Sequence, residues 1–278
     1  MLDHQDIITA ADGLEPLPAS LSRLASVVAD PSSELVDVVE VLGYDQALAA
    51  RVLRNANSAA SGALRPIVNV REAVIRLGRG RVLSLAVGVS VGNRMNEPLP
   101  EYGHGPGDLW RMSVLGTVAA GFLSDHTTHR IPPETVTASL LADVGKLVVR
   151  QFLDADMVAD LDRAEKEGGL GLAQAETELF GVHHGEVGAL VAQHWKLPEG
   201  IVSGILYHHS PDENPQDVCY ATYLACHVAE TVMGGPDAGR GGDTLERSLR
   251  ILELEAETLG QICETTAARF EDISQAYR

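Results

Sequence analysis

Four of the ten histidines stand in adjacent pairs, His183-His184 and His208-His209. A neutral imidazole offers a lone pair to a metal, and its charge changes near neutral pH. Neighbouring helical residues diverge by about 100°, so a pair cannot simply chelate one ion, but it can straddle a two-metal cluster or a phosphate. The first pair follows Phe180-Gly181 and leads into GEVGALVAQHW. The second ends the helix introduced by Pro198 and precedes Ser210-Pro211. Upstream, LLADVGKL sets Asp143 and Lys146 three apart, an acid beside a base on one helix face. Each feature also has a plain structural reading. Histidines at a helix C-terminus are favoured by the dipole and cap carbonyls, and Asp143 with Lys146 can be an intrahelical ion pair.

Helices must position these residues. Leu17, Leu21, Leu24 and Val28 recur at helix-face intervals, as do Val136, Leu140, Val144 and Leu147,. Asp30-Pro31-Ser32-Ser33 is expected to open one helix, Asn69 with Glu72 resembles a capping box, and Pro132-Pro133-Glu134 opens another. Gly168-Gly169 closes a helix, and Pro198 suits a first turn. Arg65-Pro66-Ile67-Val68 is at most a short extended connector. Two breaks stand out. Asn96 to Gly107 holds three prolines and three glycines and divides the chain into lobes. Gly234 to Gly242 reads as a flexible surface loop; it lacks the GK[ST] ending and preceding strand of a phosphate-binding loop.

Composition excludes several functions. The formal net charge is −18, with 14 acids against 11 bases in residues 1–130 and 25 against 10 in the remainder. Such a surface repels nucleic-acid backbones and anionic lipids, so neither direct nucleic-acid binding nor membrane attachment is expected. No stretch approaches the roughly 18–20 apolar residues of a membrane span. The first residues carry acids where a signal peptide needs bases, so a cytoplasmic address is expected. Cys219, Cys226 and Cys263 form no CxxC pair and read as reduced thiols in helices. One local exception to the acidity is REAVIRLGRGRV, where Arg71, Arg76, Arg79 and Arg81 cluster. Guanidinium forks suit a phosphate or an acidic partner; the plainer reading is a solvated helix face.

From about Leu14 to Pro211 the chain resembles the HDOD family, a regulatory branch of the HD phosphohydrolase superfamily. The first lobe carries LPASLSRLASVVADPSSELVDVVEVLGYDQALAARVLRNANSA and VNVREAVIRLGRGRVLSLAV. The second carries LWRMSVLGTVAA, ASLLADVGKLVV and ETELFGVHHGEVGALVAQHWKLPEGIVSGILYHHSP. The resemblance implies an all-α fold of two packed helical lobes, the second HD-domain-like, with an acidic C-terminal helical extension. The expected boundaries are 1–100, 106–211 and 212–278.

Active relatives use a histidine in the first helix of the second lobe, then a His-Asp dyad, further histidines and a late acid. Here the first position matches Met112, and the dyad reads Ala142-Asp143. Asp143, Lys146, His184, His208 and His209 fall on matching positions, with Glu230 at the late acid. Met112 offers a soft thioether and Ala142 no donor, so a dinuclear hydrolytic centre is not expected. Asn55, Asn57 and Ser58 match a recognisable family segment, for which helix termination and interlobe hydrogen bonding are expected.

The resulting expectation is a non-catalytic bacterial signalling module that contacts unidentified signalling proteins, with Arg71, Arg76, Arg79 and Arg81 as candidate contacts. No cofactor is expected beyond at most one weakly held divalent metal. The alternatives are a nucleotide or cyclic-dinucleotide sensor in the degenerate cleft, and a residual metal-dependent phosphohydrolase.

Overall fold

The computed structural model describes residues 4–12, 16–58, 65–167, 169–234 and 242–274. Of the predicted loop at Gly234–Gly242 only the two end residues are among them, and Gly168 also lies outside the described residues. The first lobe comprises α1 (His4–Asp12), α2 (Ala19–Ala29), α3 (Leu35–Gly43), α4 (Gln46–Ala56), α5 (Val70–Leu77) and α6 (Arg79–Met95). The second comprises α7 (Asp108–Asp125), α8 (Thr135–Leu141), α9 (Lys146–Val149), α10 (Ala155–Lys166), α11 (Leu172–Phe180), α12 (His184–His194) and α13 (Glu199–Leu206). The chain ends in α14 (Asp217–Met233), α15 (Asp243–Ile251) and α16 (Ala256–Ser274). Among the described residues there is no strand, only an isolated bridge between Leu99 and His104. The fold is all-α.

Short side chains set the helix starts. Asp45 accepts from the Leu48 N–H at 2.9 Å and Asp154 from the Met157 N–H at 2.9 Å, each satisfying one orphan donor of a first turn. Asn69 accepts from the Glu72 N–H at 2.8 Å and so opens α5. The expected start at Asp30 is displaced. Glu34 and Asp37 form the capping box of α3, while Asp30 ends α2 and spends its carboxylate on Ser32. Pro198 stands at the N-cap of α13, one place before the first turn.

One apolar core runs from Ile7 through both lobes to Ile273. Leu24, Leu42, Leu83, Leu115 and Leu140 are wholly buried in the structure, each contributing about 1.5–3 kcal/mol of transfer free energy. Helix α1 packs on α9 and α12, so the first residues brace the second lobe rather than their own. Helix α7 is the hub, touching α8, α14 and α16. Ala119, Ala120 and Leu123 of α7 share a second cluster with Leu224, Val228, Leu252 and Ile262. The C-terminal extension is therefore part of the body. The expected interlobe role of Asn57 is not seen: its amide bonds the Leu53 and Ile67 carbonyls and accepts from the Ile67 N–H, all within the first lobe.

The segment LLADVGKL does not form one continuous helix. It breaks between Leu141 and Lys146, with Asp143 in the turn. Gly145 sets that turn against α12: a Cβ there meets the His184 carbonyl and comes within 2.6 Å of the Gly188 nitrogen. Both obstacles are backbone, which cannot rotate aside. Gly145→Ala is expected to cost about 1–3 kcal/mol by overpacking, read as a fall in melting temperature; unchanged melting means that the two segments are not tightly apposed.

Candidate functional site

Five elements converge on His184, which is wholly buried. Helix α11 ends at Gly181, where φ of 83° permits the left-handed cap that turns the chain back,. His183 then caps α12: its Nδ1 accepts from the Gly185 N–H at 3.1 Å, and Glu186 accepts from the His183 N–H at 3.1 Å. His183 is thereby spent on the helix start, which delivers His184 inward.

Glu176 of α11, fully buried, holds His184 from behind. Its Oε2 lies 2.6 Å from Nδ1 and accepts the His184 backbone N–H at 2.9 Å. The other oxygen accepts from the Tyr102 hydroxyl at 2.7 Å. These donors hold the Glu176 carboxyl below its usual range despite burial,. A carboxylate behind one nitrogen orients the other forward. Nε2 of His184 stands 2.9 Å from Nε2 of His209 and 3.3 Å from Oδ1 of Asp143.

Asp143 and Lys146 form the floor. Their ion pair is 2.9 Å long, with the Lys146 side chain almost completely buried. Burial alone would neutralise both groups. Their mutual attraction, with His184 and His208 beside the acid, instead pushes the aspartate far down and the lysine up,. The ammonium also sits 5.5 Å over the Tyr102 ring. His208 is fixed differently: Nδ1 donates to the Ile205 carbonyl at 2.6 Å, which leaves Nε2 unprotonated. That buried Nε2 has no partner in the structure. Desolvation takes the His208 pKa down to about 3 and that of His209 well below its normal value, so both stay neutral at physiological pH.

The candidate residues thus divide into two tiers. His208, His209 and Glu230 line an open cleft of about 410 Å³, with Gln174, Tyr223 and Cys226. Asp143 faces a separate cavity of about 10 Å³ that also borders Met112, His208, Cys226 and Glu230. That cavity is barely water-sized. His184 and Lys146 line neither cavity. Arg76, Arg79 and Arg81 lie elsewhere, around the start of α6, with Arg71 apart from them and exposed on α5.

The nitrogens of His184, His208 and His209 lie within 4.8 Å of one another, so the three imidazoles can converge on one ion. The donor set does not fit two cations. Met112 supplies a thioether and Ala142 supplies no donor, which leaves Asp143 without the imidazoles that would share its cations. Sequence reasoning missed Glu176 and Tyr102. Glu176 precedes His184 by a helix reversal, and Tyr102 sits in the Pro/Gly-rich break read as a divider; no local periodicity marks either.

The HDOD domain model matches residues 14–211. A solved candidate phosphohydrolase from Shewanella amazonensis is 25% identical, with a TM-score of 0.66 over 98% of each chain. A candidate signal transduction protein from Marinobacter aquaeolei is 23% identical, with a TM-score of 0.71 over 96% of this chain and 59% of that one, a likeness of fold. An uncharacterized protein of Treponema pallidum is 26% identical over 207 residues, or 74% of this chain. This chain spans 39% of the length of that curated relative.

Proposed function

The chain belongs to the HDOD family, and on that premise we propose that it is a non-catalytic bacterial regulator that works in the cytoplasm through contacts with signalling proteins. The observation that carries this reading is the donor set around Asp143: Met112 borders the Asp143 cavity with a thioether, and Ala142 supplies no donor. A dinuclear hydrolytic centre needs imidazoles at those two positions, beside the Asp143 carboxylate, to hold cations that lower the pKa of bound water. With Met112 and Ala142 in place of imidazoles, the old catalytic floor serves as a polar girder. His184, His208 and His209 would hold at most one divalent ion, which would knit α12 to the end of α13. Among the described residues no helix is long and apolar enough to cross a membrane.

Purified protein assayed with manganese, iron or magnesium on cyclic dinucleotides and guanosine polyphosphates is expected to show no turnover above background. Turnover lost on Asp143→Ala would overturn the reading. Metal analysis of protein prepared without chelator is expected to give no more than one ion per chain.

The 410 Å³ cleft supports a second reading, a nucleotide sensor without turnover, because His208 and His209, both neutral imidazoles, are among its lining residues. Calorimetric titration with nucleotides that loses its signal in His209→Ala would favour this sensor over the contact module.

A further inference from the structure

Four arginines outside the His site line a cavity of about 560 Å³, a volume typical of small-ligand sites. Arg76, Arg79 and Arg81 come from the junction of α5 and α6. Arg269 joins them from α16, and Phe122 and Asp125 come from α7. Among the described residues, Asp125 is the only acid that lines this space, in a chain that carries 39. The four cations outnumber the one lining carboxylate and repel one another.

Nor are the guanidinium groups all spent on structure. Arg79 donates to the Ser33 carbonyl at 3.0 Å and to its hydroxyl at 2.6 Å; half-buried Glu134 also feels its charge. Arg81, by contrast, keeps a buried Nη2 with no hydrogen-bond partner among the described residues, an arrangement that costs free energy unless an acceptor arrives. The 17-residue helix α6 starts beside them at Gly78, with no side chain capping its first turn, so its amide groups and dipole add to the positive potential. The rest of the lining mixes Thr117, Ser124 and Asp125 with the apolar Val118, Phe122, Ile131 and Val136.

We propose that this cavity binds a small phosphate ester carrying an aromatic body, with the phosphate on Arg81 and Arg269 and the ring against Phe122. Guanidinium forks match phosphate oxygens two at a time, and the Phe122 and Ile131 side chains in the same lining favour esters over the bare ion. Because Arg269 and Ile273 belong to α16 and the other arginines to the first lobe, the ligand ties the C-terminal helix to the α5–α6 corner. This gives a contact module a small-molecule input distant from the histidines.

The full chain would be titrated calorimetrically with AMP, adenosine, inorganic phosphate and a glutamate-rich peptide. AMP is expected to bind at least tenfold tighter than the other three. Arg81→Gln and Arg269→Gln should each weaken AMP at least tenfold with melting unchanged. Phe122→Ala should weaken AMP but not inorganic phosphate, and His209→Ala should leave AMP binding intact. The proposal is overturned if adenosine matches AMP, if the peptide competes equally, if no AMP binding is seen, or if His209→Ala removes binding while the arginine variants keep it.

Discussion

Asp143→Ala lowers the melting temperature by on the order of 10 °C, and adding Lys146→Met returns most of that loss. The first substitution strips the carboxylate from an ammonium that is almost completely buried, 2.9 Å away. A buried charge left without its partner costs about 3–5 kcal/mol, and a domain of this size moves about 2–4 °C per kcal/mol. The second substitution replaces the stranded ammonium with an apolar chain of similar length, which removes the charge instead of stranding it. Breaking a buried pair is costly, whereas replacing it whole is often neutral. The double-mutant cycle measures this difference directly. Equal melting of the wild type and Asp143→Ala would show the pair to be solvated, and the girder reading would fall with it.

Acidification from pH 7.5 to 5 lowers the melting temperature by about 5–10 °C, before any carboxylate in the site titrates. His208 and His209 have folded-state pKa values below those of the unfolded chain, at about 3 for His208. As pH falls through about 6.5, the unfolded chain gains protons that the folded chain refuses. Stability therefore declines with falling pH, by up to about 1.4 kcal/mol per unit for each such histidine. Asp143 and Glu176 are depressed in the opposite sense of charge. Their contribution is complete above the ordinary carboxylate range and is lost only as pH falls below it, in a separate and more acidic window. Scans in the presence of chelator keep metal release out of the comparison. His208→Gln with His209→Gln should flatten the upper window while leaving the lower one. A melting temperature constant from pH 7.5 to 5 in the wild type would refute the buried neutral imidazoles.

Much of the helical frame is legible locally, because helix periodicity and caps are properties of neighbouring residues. The apolar rows Leu21, Leu24, Val28 and Leu140, Val144, Leu147 lie buried where their spacing put them, and Asn69 opens α5 as its type suggests. The ordered motifs from Leu14 to Pro211 likewise pointed to the HDOD family. The same reading identified Asp143, Lys146, His184, His208 and His209, because adjacent histidines and an acid–base spacing are visible without coordinates.

Other features needed the fold. Gly145 looks like an ordinary small residue until α12 is seen pressed against it, in the turn that interrupts the expected helix. His183 and His184 are chemically identical neighbours; one caps α12 from an extended backbone, and the other is the first residue of that helix and is buried. Glu176, Tyr102 and Arg269 gain their roles from partners far along the chain, a pairing made by tertiary packing that no spacing rule encodes. The sequence alone determined which chemical groups were present and which helices would carry them. Only the tertiary structure decided which groups were buried together and hence charged, neutral or open to a ligand, since those states follow from desolvation and from neighbours brought in by the fold.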